Sequence, residues 1–485
     1  MIPLLVVDSP EAFPFSAEGV EVVSAREYLR SGATPGSRGR RVYNLCRSYR
    51  YQSVGYYVSL LAEARGHRPI PAVSTIEDFK SREIVRVRSD ALDDLVQKSL
   101  APVKAERFDL SVYFGRNLAE RHQRLASELY KLFPAPLVRA SFARNPRDGH
   151  WELRSVGPIA AGDVPEAHRE FVLEAARAHF ARRASRKGKG ENRWDLAILH
   201  DPAEAQPPSN ARAMRKFQQA AVASGFTPYL VTRDDYSTIA EYDALFIRET
   251  THVRHHTYRF ARRAMSAGLA VIDDPESIVR CSNKVFLAEL LERSGISTPR
   301  TRVIHRDNRE AAARELGYPC VVKTPDGAFS RGVFKVDDPA TLIAKTDLLF
   351  EKSELLLIQE WMPTPFDWRI GLLDGKPLYA CQYFMARRHW QIVQTTAGGK
   401  QVSGAHRTLP VGEVPRFVLD TAIAAGARIG DGLYGVDLKE VKGKAFVIEV
   451  NDNPSIDAGC EDQVLGEELY LAIMASLRRR MDRRR

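Results

Sequence analysis

The sequence predicts a multidomain chain of mixed α/β and α+β class, and three observations carry that prediction. At 485 residues it has room for two to four domains of about 100 to 200 residues each. From Trp194 to Asp274, strand-like and helix-like runs alternate in the pattern of a small parallel βαβ unit. Leu433 to Pro454 reads instead as an antiparallel hairpin with one polar and one apolar face.

Residues 1–145 read as a separate N-terminal α/β domain. Leu4–Val7, Val42–Cys46 and Ser111–Phe114 have strand character, and Val54–Arg65 has helical periodicity that Gly66 ends. Arg47, Arg50, Tyr49, Tyr51, Tyr56 and Tyr57 gather around the start of that helix. The plainer reading makes them polar tips of a helix packed on a sheet, not a binding surface. Residues 146–193 read as a connector ending in a basic linker, 194–275 as the parallel βαβ unit, 276–475 as a larger α+β domain and 476–485 as a basic tail.

Ligands of open parallel sheets bind beyond the carboxyl ends of strands, which places Arg248, Glu249 and Thr250 at a candidate site. Arg248 suits a substrate carboxylate. His252, His255 and His256 follow, but no carboxylate signature accompanies them, so they read as polar helix-start residues or substrate contacts before metal ligands. SNKVFLAELLERSGIS, from Ser282, reads as a capped helix with Lys284 in its first turn, where a nearby anion would turn an unfavourable lysine into a favourable one. Cys320–Val336 reads as a strand carrying Lys323, a loop with Gly327, Ser330, Arg331 and Gly332 able to close on phosphate, and a returning strand. The P-loop pattern GxxxxGK[ST] is absent.

LLLIQEWM, Leu355–Met362, reads as a strand and hinge covering Gln359, Glu360, Trp361 and Met362. Its backbone can meet an adenine edge while Leu357, Trp361 or Met362 flanks the base. Asp367 and Arg369 follow on the next strand, Arg387 and Arg388 come beyond the Asp374–Gly375 turn, and Thr395–Gly404, with Gly398 and Gly399, can line a site. With Lys442, Gly443 and Lys444 as its turn, the hairpin sets Asp437 opposite Glu449, and Asn451 shares their face. Val436, Leu438, Phe446, Ile448 and Val450 then form the apolar face. Opposed carboxylates destabilise a sheet unless positive charge lies between them, and a hard divalent cation would supply it. The alternative is a plainly solvated face. Gly430, Gly432 and Gly435 match GxGxxG, but they follow a helical run and precede a strand, the reverse of a dinucleotide fingerprint.

The net charge of +10 has a local origin, because Arg182–Arg193 and Arg478–Arg485 each hold six basic residues and one acid. The rest of the chain is neutral, so no specific nucleic-acid surface is expected, although weak RNA contact through the basic tail stays open. Five scattered cysteines argue against a disulfide framework or a zinc cluster and suit a reducing cytosol. No run approaches the ~20 apolar residues of a membrane span, and the first residues read as a strand, not a secretory signal. A cytoplasmic protein without membrane contact is expected.

In their order, Lys284, Lys323, the loop with Gly327 and Gly332, the Gln359–Met362 hinge, Asp367, Arg369, Asp437, Glu449 and Asn451 resemble the ATP-grasp superfamily. The DWRI stretch, Arg387 and the closing VIEVNDNP are similar to RimK-type and glutathione-synthetase-like carboxylate-amine ligases. The resemblance spans roughly residues 194–475, and residues 1–145 resemble the N-terminal domain of some RimK-like proteins. It implies an ATP-grasp fold preceded by a small parallel domain, with ATP and two magnesium ions, or manganese, as cofactors. Lys284, Lys323 and the loop would hold the phosphates, Glu360 and Met362 the adenine through the backbone, Asp367 the ribose, and Asp437, Glu449 and Asn451 the metal. Arg248, Thr250, Gly398 and Gly399 would serve the substrate, and Arg369 and Arg387 catalysis. The implied reaction joins a carboxylate to an amine through an acyl phosphate, with an amino acid such as glutamate, a peptide, a protein tail or a small amine as partners. A homo-oligomer is the implied assembly. Competing readings are an ATP-grasp phosphotransferase and an ATP-binding regulatory protein.

Overall fold

A computed structural model describes residues 2–10, 13, 15, 19–31, 39–81, 85, 92–186, 194–327, 332–386, 390–395 and 401–483. The chain divides into two compact units, one of residues 1–193 with 234–241 and 485, the other of residues 194–233 and 242–484.

The first unit contains a parallel sheet in the order Glu21–Ser24, Leu4–Val7, Arg41–Asn44, Arg68–Ile70. LLVV at Leu4–Val7 is buried on both faces, as expected of an inner parallel strand. Helix Val54–Ala64 starts at the Ser53 cap and stops before Gly66, as its sequence predicts. Arg107–Tyr113, Leu137–Arg144 and Trp151–Pro158 form a separate antiparallel sheet.

The expected boundary at residue 145 and the connector at 146–193 need correction. Strand Trp151–Pro158 pairs with Leu137–Arg144, and helix Glu166–Arg186 buries Val172, Ala175, Ala176 and Phe180 against Leu5, Tyr43 and Leu137. That helix is polar overall, yet its few apolar residues recur at helical spacing and suffice to anchor it. Of the stretch read as a basic linker, 182–186 continue this helix and 187–193 lie outside the described residues.

The second unit begins with a parallel sheet in the order Ala270–Ile272, Ala244–Ile247, Trp194–Leu199, Phe226–Val231. The expected basic tail is the end of helix Glu467–Arg483, whose Tyr470, Ile473, Met474, Leu477 and Met481 pack on Trp194, Ala213 and Phe217. Apolar residues at i, i+3, i+4, i+7 and i+11 set a core-facing stripe beneath the arginines, so charge count alone misread this segment as solvated.

Two antiparallel sheets follow. One runs Thr301–Ile304, Leu356–Glu360, Cys320–Lys323, Val333–Val336, and the other His406–Leu409, Lys376–Phe384, Phe366–Leu373, Leu433–Val441, Lys444–Asn451. Helix Arg416–Ile429 lays Val418, Ala422, Ala425 and Ile429 on the apolar face of the second sheet, where Val436, Leu438, Val447 and Val450 meet them. Val418 and Ile429, fully buried, each contribute about 1.5–3 kcal/mol. No helix among the described residues is long and apolar enough to cross a membrane.

Candidate functional site

The hairpin places Asp437 opposite Glu449 and Gly435 opposite Asn451, as alternation predicts, but it arrives there differently. Its turn has two central residues, Lys442 and Gly443, with φ of 51° and 74°. Both are left-handed, the geometry that matches the twist of the flanking strands and favours glycine. The shorter turn moves the outer register by one, so Leu438 faces Val447 and Val441 faces Lys444. A bulge between Asp437 and Leu438 restores the register at the carboxylates. One consequence is that Ala445 and Val447 are buried where Phe446 and Ile448 were expected, and Ile448 turns to line a cleft.

On the polar face, Arg369 donates to both oxygens of Asp437, from Nε and Nη2, each at 2.7 Å. Its register partner across the strands is Asp437 itself, so the bidentate fork follows from strand pairing. Asn451 Nδ2 donates to Asp437 Oδ2 at 3.2 Å. Lys284 Nζ lies 2.8 Å from Glu449 Oε1 and donates to the Gly327 carbonyl at 2.7 Å. Asn283 caps the helix that begins at Lys284, which fixes the lysine at the helix N-terminus. Two protein cations therefore already compensate the opposed carboxylates, so that pairing alone does not demand a metal. Each oxygen still has lone-pair capacity, and Glu449 remains 27% exposed, so the set fits a divalent cation. Burial pushes the Asp437 carboxyl up despite Arg369. Burial also acts on Glu449, but Lys284, Lys323 and Arg369 outweigh it and hold that carboxyl below its ordinary range.

Lys323 Nζ donates to Gln359 Oε1 at 2.7 Å, and Gln359 Nε2 donates to Thr301 Oγ1 at 2.8 Å. Burial lowers the Lys323 ammonium to about 8. A cleft above it is lined by Lys284, Leu287, Leu291, Lys323, Leu357, Gln359, Val447 and Ile448. With Thr298 and Thr301 also at its edge, the lining joins two cations, one amide and two hydroxyls to an apolar wall, a composition suited to a base with attached phosphates. Gly332 closes the loop near Lys323. Its φ is 74°, and a Cβ there would meet Thr324 Oγ1 at 2.4 Å, so only glycine fits. Ser330, Arg331, Arg387, Arg388, Gly398 and Gly399 lie outside the described residues.

At the hinge, the Glu360 carboxylate accepts from the Arg300 amide and Nε, both at 2.9 Å, and the Glu360 N–H donates to Arg300 O at 2.9 Å. Any contact from Glu360 to a base therefore falls to its carbonyl. Trp361 packs edge-on against Trp390 at 5.2 Å with Lys335 Nζ 5.1 Å over its face, whereas Leu357 lines the cleft. Met362, at the end of the hinge, is partly buried. Asp367 accepts from Lys439 Nζ at 2.6 Å and Thr364 Oγ1 at 2.9 Å. Lys439 escaped the sequence reading, although its position two residues after Asp437 on the same strand face was a usable signal.

Arg248 is corrected. It is fully buried, donating to Ser209 Oγ, Asn453 Oδ1 and the carbonyls of Pro208 and Pro454, and it lies over the faces of Phe217 and Phe246. It is a brace between the parallel sheet and the segment after the hairpin, and each of its three guanidinium nitrogens donates within the fold. The Thr250 N–H bonds the Glu204 carboxylate at 3.2 and 3.3 Å.

The lysine pair and the carboxylate-amide face, set on two antiparallel sheets, are the features that carry the sequence's resemblance to the ATP-grasp superfamily. Residues 25–175 match the RimK-like ATPgrasp N-terminal domain. The chain is similar to the alpha-aminoadipate–LysW ligase LysX of Sulfolobus acidocaldarius, 28% identical over 251 residues that make up 48% of this chain and 86% of that protein. It is also similar to the probable alpha-L-glutamate ligase 1 of Pseudoalteromonas atlantica, 25% identical over 264 residues, 50% of this chain and 84% of that one. Among solved structures, the D-alanine–D-alanine ligase of Bacillus anthracis gives a TM-score of 0.48 at 17% identity, covering 60% of this chain and all of that one. The RimK domain ATP-grasp protein of Sphaerobacter thermophilus gives 0.43 at 18% identity, covering 58% of this chain and 98% of that one.

Proposed function

We propose that this chain is an ATP-dependent carboxylate-amine ligase that forms an amide or peptide bond, with an acidic, glutamate-type amino acid as one substrate and a peptide, protein tail or small amine as the other. The observation that carries this reading is the array Arg369–Asp437–Asn451 and Glu449 on one sheet face beside the cleft, with Lys284 reaching Glu449 from its helix N-terminus. The names of the relatives, ligases of alpha-aminoadipate and of glutamate, support an acidic amino acid.

In this reading Lys284 and Lys323 hold the phosphates of ATP, and Leu357, Val447 and Ile448 enclose the base. Asp437, Glu449 and Asn451 would hold two divalent ions, which supply charge neutralisation at the transferring phosphoryl group. The substrate carboxylate oxygen attacks the γ-phosphorus, the bond to the β-phosphate oxygen breaks, and ADP leaves. The amine nitrogen of the second substrate attacks the acyl carbon of the resulting acyl phosphate. Arg369 faces the charge that develops on the carbonyl oxygen, the C–O bond to phosphate breaks, and a proton leaves the nitrogen. Arg387 is proposed to share that role.

The test is release of phosphate from Mg-ATP across pools of amino acids, di-acids, amines and peptides, with mass spectrometry of the products. ADP and phosphate formed together with a product equal in mass to two substrates less water is the expected result. A phosphorylated product with no condensation would overturn the ligase in favour of a phosphotransferase.

A further inference from the structure

Glu249 stands just past the carboxyl end of strand Ala244–Ile247, and its side chain is 2% exposed. One carboxylate oxygen, Oε2, meets His256 Nε2 at 2.5 Å. The other, Oε1, is buried with no hydrogen-bond partner among the described residues. A Glu–His pair explains the first oxygen and leaves the second unexplained, and leaving a buried carboxylate oxygen unpaired is costly. His255 lies against His256 with the rings tilted by 43° and their centroids 3.9 Å apart, and its Nδ1 meets Thr257 Oγ1 at 3.3 Å, which leaves its Nε2 as the ligand atom. One ligand atom from each of Glu249, His255 and His256 lies within 4.8 Å of the others. The Glu249 carbonyl accepts from Asn453 Nδ2, which holds this residue in place. Beside Asn453, Asp452 is buried, touches Thr251 and likewise keeps an unpartnered oxygen, Oδ2.

We propose that Glu249, His255 and His256 form a binding site for one divalent transition-metal ion of the zinc type. Two imidazole nitrogens and a carboxylate oxygen select zinc or cobalt over magnesium, which prefers oxygen alone. Three protein ligands leave a fourth position open to water or to an oxygen or nitrogen donor of a bound molecule. The site shares no residue with the Asp437–Glu449–Asn451 face and does not depend on the ligase reading. The sequence hid it because the carboxylate sits six residues before the first histidine, on the far side of a loop.

The experiment uses the full-length protein, stripped with a chelator, dialysed against zinc in millimolar magnesium and assayed for bound metal, with cobalt titrated in parallel and followed by visible absorption. One zinc per chain retained against magnesium, and cobalt bands of a four-coordinate nitrogen-oxygen site, are expected. His256→Ala, His255→Ala and Glu249→Gln should each weaken zinc by at least the ~10–100-fold that losing even an outer partner costs. His252→Ala should leave zinc affinity unchanged. Because Glu249 is buried, its variant is accepted only if circular dichroism shows it folded, and the more exposed His255 variant decides otherwise. No zinc retained in magnesium, or equal retention by the wild type and the histidine variants, would overturn the proposal.

Discussion

Arg248 and Arg369 are both largely buried, both sit over aromatic faces, and both look from the sequence like ligand-handling arginines. Their partners separate them. Arg248 donates to two backbone carbonyls, a hydroxyl and an amide, all neutral and all buried except the half-buried Asn453, and burial lowers its guanidinium to about 10. Arg369 meets a carboxylate that keeps unused lone pairs and faces a second carboxylate across the hairpin. A guanidinium saturated by neutral groups holds the fold together. One paired with a partly exposed carboxylate in an unfinished charge array is poised for something further. What marks a functional charge is therefore the remaining capacity of its partner, more than its own burial.

Glu449→Gln is the sharpest way to break this contrast. It removes charge from the array without changing volume, so turnover should fall by at least about 10²–10³-fold, while the melting temperature stays within a few degrees of wild type. Wild-type phosphate release from this variant would remove the carboxylate face from the chemistry. Arg248→Met is the complementary change. It strands Asn453 Oδ1 and the Pro454 carbonyl and takes one of two partners from Ser209 Oγ and the Pro208 carbonyl, which keep Ile456; at about 1–3 kcal/mol for each unsatisfied buried group, stability should fall by about 2 kcal/mol or more in denaturant unfolding. Substrate KM in the folded fraction should hardly move. A raised KM for the carboxylate substrate at wild-type stability would return Arg248 to the binding site.

How much of this was legible in the sequence depends on whether a local rule applied. Alternation placed Asp437, Glu449 and Asn451 on one face correctly, yet through two errors that cancel, since neither the two-residue turn nor the bulge at Asp437 carries a periodic signal. The cost was the apolar face, where Val447 and Ile448 exchanged roles. Lys284 was readable because a cap and a helix start are local patterns. The partners of Arg248 are some 40 residues before it and 205 after, so no window could show them. The C-terminal helix was misread for the opposite reason. Its local charge was conspicuous, and the apolar stripe under it was not weighed.

Lys323 offers a smaller, pH-dependent version of the contrast. Its folded value of about 8 lies below the ordinary lysine range near 10.4. Between those values the unfolded chain binds more protons, so this residue makes stability rise with pH across that window. Anionic nucleotide favours the charged ammonium, so binding should draw in a proton above pH about 8, and affinity should fall by up to about tenfold per pH unit there. Calorimetry in buffers of different ionisation enthalpy would detect the proton. Lys323→Met should bind nucleotide more weakly and lose that dependence. A pH-independent wild-type affinity would show that Lys323 does not face the phosphates.

Arg480 gives the smallest effect and tests the structural side of the comparison at the surface. It donates to Asp374 Oδ1 and Asp431 Oδ1, each at 2.9 Å, and to the Asp431 carbonyl, while Ser476 and Arg479 complete the ring around Asp374. Burial acts to raise the Asp374 carboxyl, but Arg479, Ser476 and Arg480 overcome it and hold it below its ordinary range. The stabilisation is thus complete above the ordinary carboxylate value near 3.9 and fades as pH falls through the lower folded value. Arg480→Ala should cost about 1 kcal/mol at neutral pH, because most of the helix's hold lies in Leu477 and Met481 beneath it. That difference from wild type should shrink below pH about 4, and turnover at neutral pH should not change. A loss of several kcal/mol would mean that the charges, and not the apolar stripe, fasten this helix to the parallel sheet.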